Sequence, residues 1–220
     1  MLFLHGGFWR QQYDRSHVGP IASALAAEGF PVVTPEYRRT GAPGGGWPGT
    51  LDDVAAGVRT VPALVAARTA VDPGRVVLAG HSAGGHLALW AAADLARTDQ
   101  GVRAVVALAP IADLGAAYHL DLDGGAVAAL LGGGPDEFPD RYVRADPLGL
   151  VPLRTRLALV HGTRDAHVPV DFSRRFAAAA RAAGDTVIGE FPDVEHFSLI
   201  DPLTSAFPVV LAAFQAVVPA

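Results

Sequence analysis

Short apolar runs that read as β-strands alternate along this chain with longer alanine-rich stretches that read as helices, and that alternation leaves few folds open. Leu2–His5, Pro31–Glu36, Arg75–Gly80, Arg103–Ala109, Leu157–His161 and Thr186–Phe191 carry the strand signal. Ile21–Glu28, Leu51–Arg68, Ala83–Arg97, Val170–Ala183 and Leu203–Val217 carry the helical one. The strand runs are continuous in hydrophobicity rather than alternating, as a parallel sheet covered on both faces requires. The expected fold class is therefore α/β, a mostly parallel sheet with helices on both faces. With 220 residues, half of them hydrophobic, the chain can bury one substantial core, so a single domain over residues 1–220 is expected. One stretch breaks the alternation: from Ile111 to about Arg156 the sequence is rich in Gly, Asp and Pro, with a short apolar helix at Ala126–Leu131. A loop of that length is usually functional or disordered, the alternative here being a surface excursion with no substrate contact. Residues 111–156 are read as a cap-like insertion, with Leu130, Leu131, Phe138 and Tyr142 facing a pocket.

Gly80-His81-Ser82-Ala83-Gly84 sits where the run Val76-Val77-Leu78-Ala79 hands over to the helical stretch Leu87-Ala88-Leu89-Trp90. A serine at such a turn takes a strained backbone conformation, which is tolerated because Gly80, Ala83, Gly84 and Gly85 lack bulk. The turn lifts Oγ of Ser82 above the sheet and sets the N–H of Ala83 at the positive end of the following helix. Alone, so short a glycine-rich motif also arises as an ordinary strand-helix turn. A second motif adds weight: His5-Gly6-Gly7-Phe8-Trp9 follows Leu2-Phe3-Leu4 and so lies at the carboxyl end of another strand. Its glycine pair lets the N–H groups of Gly7 and Phe8 point into the space faced by the Ala83 N–H, which is what an oxyanion hole needs.

A serine hydroxyl is a weak nucleophile until a base takes its proton. All 17 basic residues are Arg, so no Ser-Lys dyad or Schiff base is available, and the base must be a histidine. After a nucleophile on a strand-helix turn, the partners follow in the order acid, then histidine. Asp165 lies just beyond the Leu157–His161 run, and His196 lies between the last strand and the final helix. Ser82, Asp165 and His196 are the candidate nucleophile, orienting acid and base. Asp113, just beyond Pro110, is the rival acid, because a carboxylate after that earlier strand can also reach the histidine. His81 and His86 are read as packing or turn residues and His5 as a group that holds its own loop. Trp9 and His81 are the candidate substrate-binding side chains. A histidine base predicts activity that rises with pH through about 6.5.

The net charge of -5 and pI near 5.8, with arginines scattered rather than clustered, argue against a nucleic-acid partner. The absence of Cys removes disulfides, a thiol nucleophile and thiolate metal sites. His161 and His167 flank Asp165 without metal-site spacing, and neither a metal nor an organic cofactor is expected. Met1-Leu2-Phe3-Leu4 lacks the basic region of a signal peptide, and the apolar tracts fall short of the ~20 residues of a membrane span. The expectation is a cytoplasmic monomer or homodimer acting on a small-molecule ester or amide, with no membrane partner.

On these motifs the chain resembles the α/β-hydrolase superfamily, and within it the small carboxylesterases that carry H-G-G-x-W and G-H-S-A-G-G-H; the first motif is also typical of serine-dependent kynurenine formamidases. His5–Trp9 matches the oxyanion signature, Gly80–His86 the nucleophile turn, and His161-Gly162-Thr163-Arg164-Asp165 the acid loop. His196-Phe197 with Asp201-Pro202 matches the histidine loop. The resemblance implies acyl transfer to water through Ser82, Asp165 and His196, with the N–H groups of Gly7, Phe8 and Ala83 around the oxyanion and no cofactor. Hydrolysis of carboxylic esters with small acyl or aryl groups is the expected function. Arylformamide hydrolysis is the alternative among enzymes, and a hydrolase-fold binding protein without turnover is the alternative outside them. Members of the superfamily carry two further strands before the oxyanion strand, which here begins at Met1. Either the start lies downstream of the natural one or the sheet is trimmed, and in both cases Pro31–Glu36 is expected as an unpaired edge strand.

Overall fold

The computed structural model describes residues 1–98 and 100–217. Strands β1 (Leu2–Leu4), β2 (Val77–His81), β3 (Ala104–Leu108), β4 (Arg156–Val160) and β5 (Thr186–Glu190) lie side by side in chain order. Every neighbouring pair is parallel, so each connection must carry the chain back across the sheet. Helices α1 (Gly19–Ala27) and α2 (Gly49–Ala66) do so between β1 and β2, and α3 (Ala83–Ala96) between β2 and β3. The return from β3 to β4 holds α4 (Leu114–His119), α5 (Ala126–Leu131) and α6 (Pro139–Ala145). Helix α7 (Val170–Ala182) precedes β5, and α8 (Phe207–Val217) follows it.

Successive side chains on a strand point to opposite faces, so the sheet divides the core in two. Phe3, Ala79, Val106 and Val160 pack with Ile21 and Leu25 of α1 and with Val210 and Phe214 of α8. Leu4, Leu78, Val105 and Leu159 pack on the other face, against Val54 and Val58 of α2 and Leu87 of α3. Burial on both faces is why the strand runs show no polar alternation.

The structure departs from the sequence reading in three places. Pro31–Glu36 is not a strand: only Val33 bridges to Leu2, with the Val33 N–H donating to Met1 O at 2.9 Å and the Phe3 N–H to Val33 O at 2.8 Å. The positions two residues to either side are Pro31 and Pro35, which have no N–H to extend the ladder. The last helix begins at Phe207 rather than Leu203, because Asp201 Oδ1 accepts the Leu203 N–H at 2.9 Å and closes a turn there.

The third departure is the stretch after β3, which holds two more helices than expected and packs as a wall. Asp113 starts α4 by accepting the Ala116 N–H at 2.7 Å. The far end is fastened to α3, where His86 Nε2–H donates to Ala145 O at 3.0 Å and Trp90 Nε1–H to Arg144 O at 2.9 Å. Leu130 and Leu131 are fully buried in the core rather than facing a pocket. Tyr142 is buried as well, its hydroxyl donating to Gly133 O at 3.1 Å, and the Phe138 ring lies 3.8 Å beneath the Arg141 guanidinium.

Candidate active site

The carboxyl ends of β1 and β2 and the loops after β4 and β5 border one cavity of about 650 Å³. Crevices beyond the carboxyl ends of parallel strands are where such sheets bind ligands. Ser82 stands at its floor, between β2 and α3, with φ 57° and ψ −119°. A side chain is rarely held in that conformation, and the packing around it explains how it is held. A Cβ at Gly80 would lie 2.2 Å from Gly84 O, and one at Gly84 would lie 2.0 Å from Leu4 O. Only glycines let α3 start this close to β1 and β2. The Ser82 N–H donates to Leu108 O at 2.8 Å, and Ser82 O accepts the His86 N–H at 3.0 Å, which begins the helix.

The loop after β1 turns through three consecutive left-handed residues, Gly7 (φ 102°), Phe8 (φ 48°) and Trp9 (φ 58°), and is closed by the Arg10 N–H donating to Gly7 O at 2.9 Å. His5 holds this loop, as expected: its Nδ1–H donates to Gly6 O at 2.9 Å, and the Tyr37 hydroxyl donates to His5 O at 2.7 Å. Gly7 and Phe8 border the cavity beside Ser82, and Ala83 is the first residue of α3. Trp9 does not contact the cavity, and its expected substrate role is corrected. The left-handed turn sends its indole inward, where it is fully buried with its ring 5.1 Å from that of His86.

His196 opens a short 3-10 turn, His196–Leu199, and its Nδ1–H donates to Asp165 Oδ2 at 2.5 Å. That leaves Nε2 as the free ring nitrogen on a residue that borders the same cavity as Ser82. Asp165 Oδ1 accepts the N–H groups of His167 and Val168, each at 2.8 Å. Burial alone would raise the Asp165 carboxyl, but hydrogen bonds from His161 and His196 outweigh it and hold the group well below the usual carboxylate range. Burial lowers His196 below its ordinary value, offset in part by the bond to Asp165. The rival acid is engaged elsewhere, since Asp113 caps α4 and pairs with Arg175 at 3.0 Å.

His81 borders the cavity, and its Nε2–H donates to His196 O at 3.1 Å. Its polar edge therefore holds the histidine loop. The sequence reading gave His161 no part in the site, yet its Nε2 lies 3.1 Å from Asp165 Oδ2; the four-residue spacing of the two was the available signal. From the wall after β3, Asp123 reaches the cavity. The mouth is apolar: Tyr13, Phe197 and Leu203 border it while remaining 44%, 57% and 93% exposed. Among the described residues, no group of three or more His, Cys, Asp or Glu could hold a metal ion, and no helix is long and apolar enough to cross a membrane.

A family model described as BD-FAE matches residues 1–179. Esterase LipC of Mycobacterium tuberculosis is 30% identical over 225 aligned positions that take in 91% of this chain and 53% of LipC. The chain spans about half the length, or less, of the curated relatives it matches. Among solved structures, a truncated carbohydrate esterase from gut microbiota superposes with a TM-score of 0.80 at 23% identity, over 98% of this chain and 84% of the other. Bacterial heroin esterase does so with a TM-score of 0.80 at 24% identity, over 98% and 73% of the two chains. These likenesses, with the five-stranded parallel sheet, identify the fold as that of the α/β-hydrolases.

Proposed function

The chain belongs to the BD-FAE family, and from that premise we propose that it hydrolyses carboxylic esters through an acyl-enzyme on Ser82. Ser82 Oγ attacks the ester carbonyl while His196 Nε2 takes its proton. The N–H groups of Gly7, Phe8 and Ala83 hold the oxyanion. Collapse of the tetrahedral species breaks the ester C–O bond, and His196 returns the proton to the departing alkoxide or phenoxide. Water then attacks the acyl-enzyme by the same route, releasing the acid and restoring Ser82. Asp165 fixes the His196 tautomer, keeping Nε2 free to accept, and stabilises the imidazolium that forms in each half-reaction.

One observation carries this reading: a serine in a strained left-handed turn opens onto the same cavity as a histidine whose other nitrogen is committed to a buried carboxylate. The relatives named as esterases support it. The exposed apolar mouth of Tyr13, Phe197 and Leu203 favours esters with a small acyl group and an aryl or otherwise apolar partner. Residues 111–156 act as a wall for the site, with Asp123 as their contribution to the cavity.

The test is hydrolysis of matched aryl acetates and aryl formamides by the purified protein and by Ser82→Ala. Ester turnover that falls by about 10⁴-fold or more in Ser82→Ala is the expected result. Turnover that persists in the variant would remove Ser82 from the mechanism. Faster cleavage of formamides than of the matched esters would make the protein an arylformamidase. No turnover of either would favour a binding protein built on this fold.

A further inference from the structure

We propose that His161 is a positioning residue for the Asp165–His196 pair, with Ser173 fixing its tautomer. His161 follows β4 and is fully buried, as is Ser173 on α7. Its Nε2 lies 3.1 Å from Asp165 Oδ2 and 3.0 Å from Val168 O, and its Nδ1 lies 2.7 Å from Ser173 Oγ. Both neighbours of Nε2 are acceptors, so Nε2 carries the proton, and Nδ1 of the neutral ring accepts the Ser173 hydroxyl. The outcome is a continuous chain from Ser173 through His161 to Asp165 Oδ2, which also accepts from His196.

Asp165 Oδ2 is thus held by two imidazole N–H groups and Oδ1 by two backbone N–H groups. A carboxylate with four donors cannot rotate away from His196 without breaking a buried bond. The loops are also packed to keep this register. A Cβ at Gly162 would lie 2.2 Å from Val194 O, and the Arg164 N–H donates to Val194 O at 3.1 Å, so the acid loop lies directly on the loop that delivers His196.

The second consequence is electrostatic. The His161 donor draws charge from Oδ2 and weakens its pull on the His196 proton, so that His196 stays a free base at lower pH. The other titratable and charged groups facing the pair are His81 from β2 and His167 from the acid loop, with ring centroids 4.4 and 5.2 Å from that of His196. His17, Asp123 and Asp201 line the same cavity, and an Arg164–Asp193 ion pair of 3.2 Å lies on the loop surface. None of these is altered by substitution at His161 or Ser173.

The role of His161 in turnover rests on the ester-hydrolase reading, but the test reads His196 itself. His196 is titrated by NMR in histidine-labelled wild type, His161→Phe, His161→Gln and Ser173→Ala, with its resonance assigned through His196→Gln. In parallel, each protein is labelled at Ser82 with a fluorophosphonate and assayed for ester turnover against pH. The expected result is a His196 midpoint raised by about half a unit or more in His161→Phe, less in Ser173→Ala, and near wild type in His161→Gln, which keeps a donor. The acid limb of kcat/KM moves by the same amount, and kcat in His161→Phe falls about tenfold. A His196 midpoint unmoved in folded His161→Phe overturns the proposal, even if activity falls; should that variant not fold, an unmoved midpoint in Ser173→Ala does so. Absent labelling and turnover in the wild type would count against the ester-hydrolase reading while leaving the midpoint comparison to decide the role of His161.

Discussion

Asp113 and Asp165 both follow a strand in a chain of this order, and only their partners tell them apart. Asp165 carries a 2.5 Å bond to His196, whereas Asp113 pairs with Arg175 and caps α4. Asp165→Asn is therefore expected to lower kcat by about 10⁴-fold, while Asp113→Asn keeps kcat within about threefold, retains the cap on α4 and loses at most about 1 kcal/mol of stability with the charge pair to Arg175. Steady-state kinetics on the two variants distinguish the acids, and a larger loss in Asp113→Asn would reverse the assignment. The proposed mechanism needs His196 as the free base, and burial lowers its pKa. The acid limb should consequently fall below 6.5, with full activity above it; a limb at or above 6.5 would contradict that environment. Chain order pointed to Ser82 and His196 and favoured Asp165 as the acid because each sits at a fixed place relative to a strand, with Asp113 left as a rival that only the partners of the two acids separate. The positions of Trp9 and His161 were not readable in that way. The first depends on a left-handed turn and the second on packing between β4 and α7, both properties of the folded chain.

The strand-helix turn is the element on which the site depends, and its glycines are required by backbone rather than by flexible side chains. A Cβ at Gly84 would meet Leu4 O at 2.0 Å, so Gly84→Ala should cost about 3 kcal/mol or more. Gly57, within α2 with nothing inside 4 Å of its Cβ position, should instead gain up to about 1 kcal/mol as alanine. Urea denaturation of the two variants measures both, and equal stabilities would refute the packing account of the turn. The apolar strand runs predicted β1 to β4 because burial on both faces writes itself into composition, while the half-buried edge strand β5 showed through its Val187-Ile188 pair. Short helices leave a fainter mark. α4 and α6 run for only 6 and 7 residues and depend on a cap and on bonds from His86 and Trp90 of α3. Pro31–Glu36 misled in the opposite sense, since its Val pair reads as strand while its prolines stop the ladder after Val33.

The whole molecule buries several histidines, and their protonation sets how its stability responds to acid. Burial pushes both His5 and His86 down to about 4, and His81 is also lowered by burial. In the unfolded chain a histidine titrates near 6.5. Below that pH the unfolded state binds protons that the folded state refuses, so stability is full above about 6.5 and declines as pH falls toward 4. His86 alone should remove about 2 kcal/mol between pH 7 and pH 5. Asp165, whose pKa is depressed, loses its contribution only below the ordinary carboxylate range, whereas Asp146, pushed up to about 6 by burial, takes up a proton in the folded state and offsets part of the histidine loss in this window. Denaturant unfolding at the two pH values checks the expectation, and equal stabilities would contradict it. The central claim concerns Ser82, and the most direct measurement is labelling of the native protein with a fluorophosphonate followed by peptide mapping. A single adduct on Ser82, absent after heat denaturation and in both Ser82→Ala and His196→Gln, is what the account predicts. Folded protein that takes no label, or takes it on another residue, would contradict it.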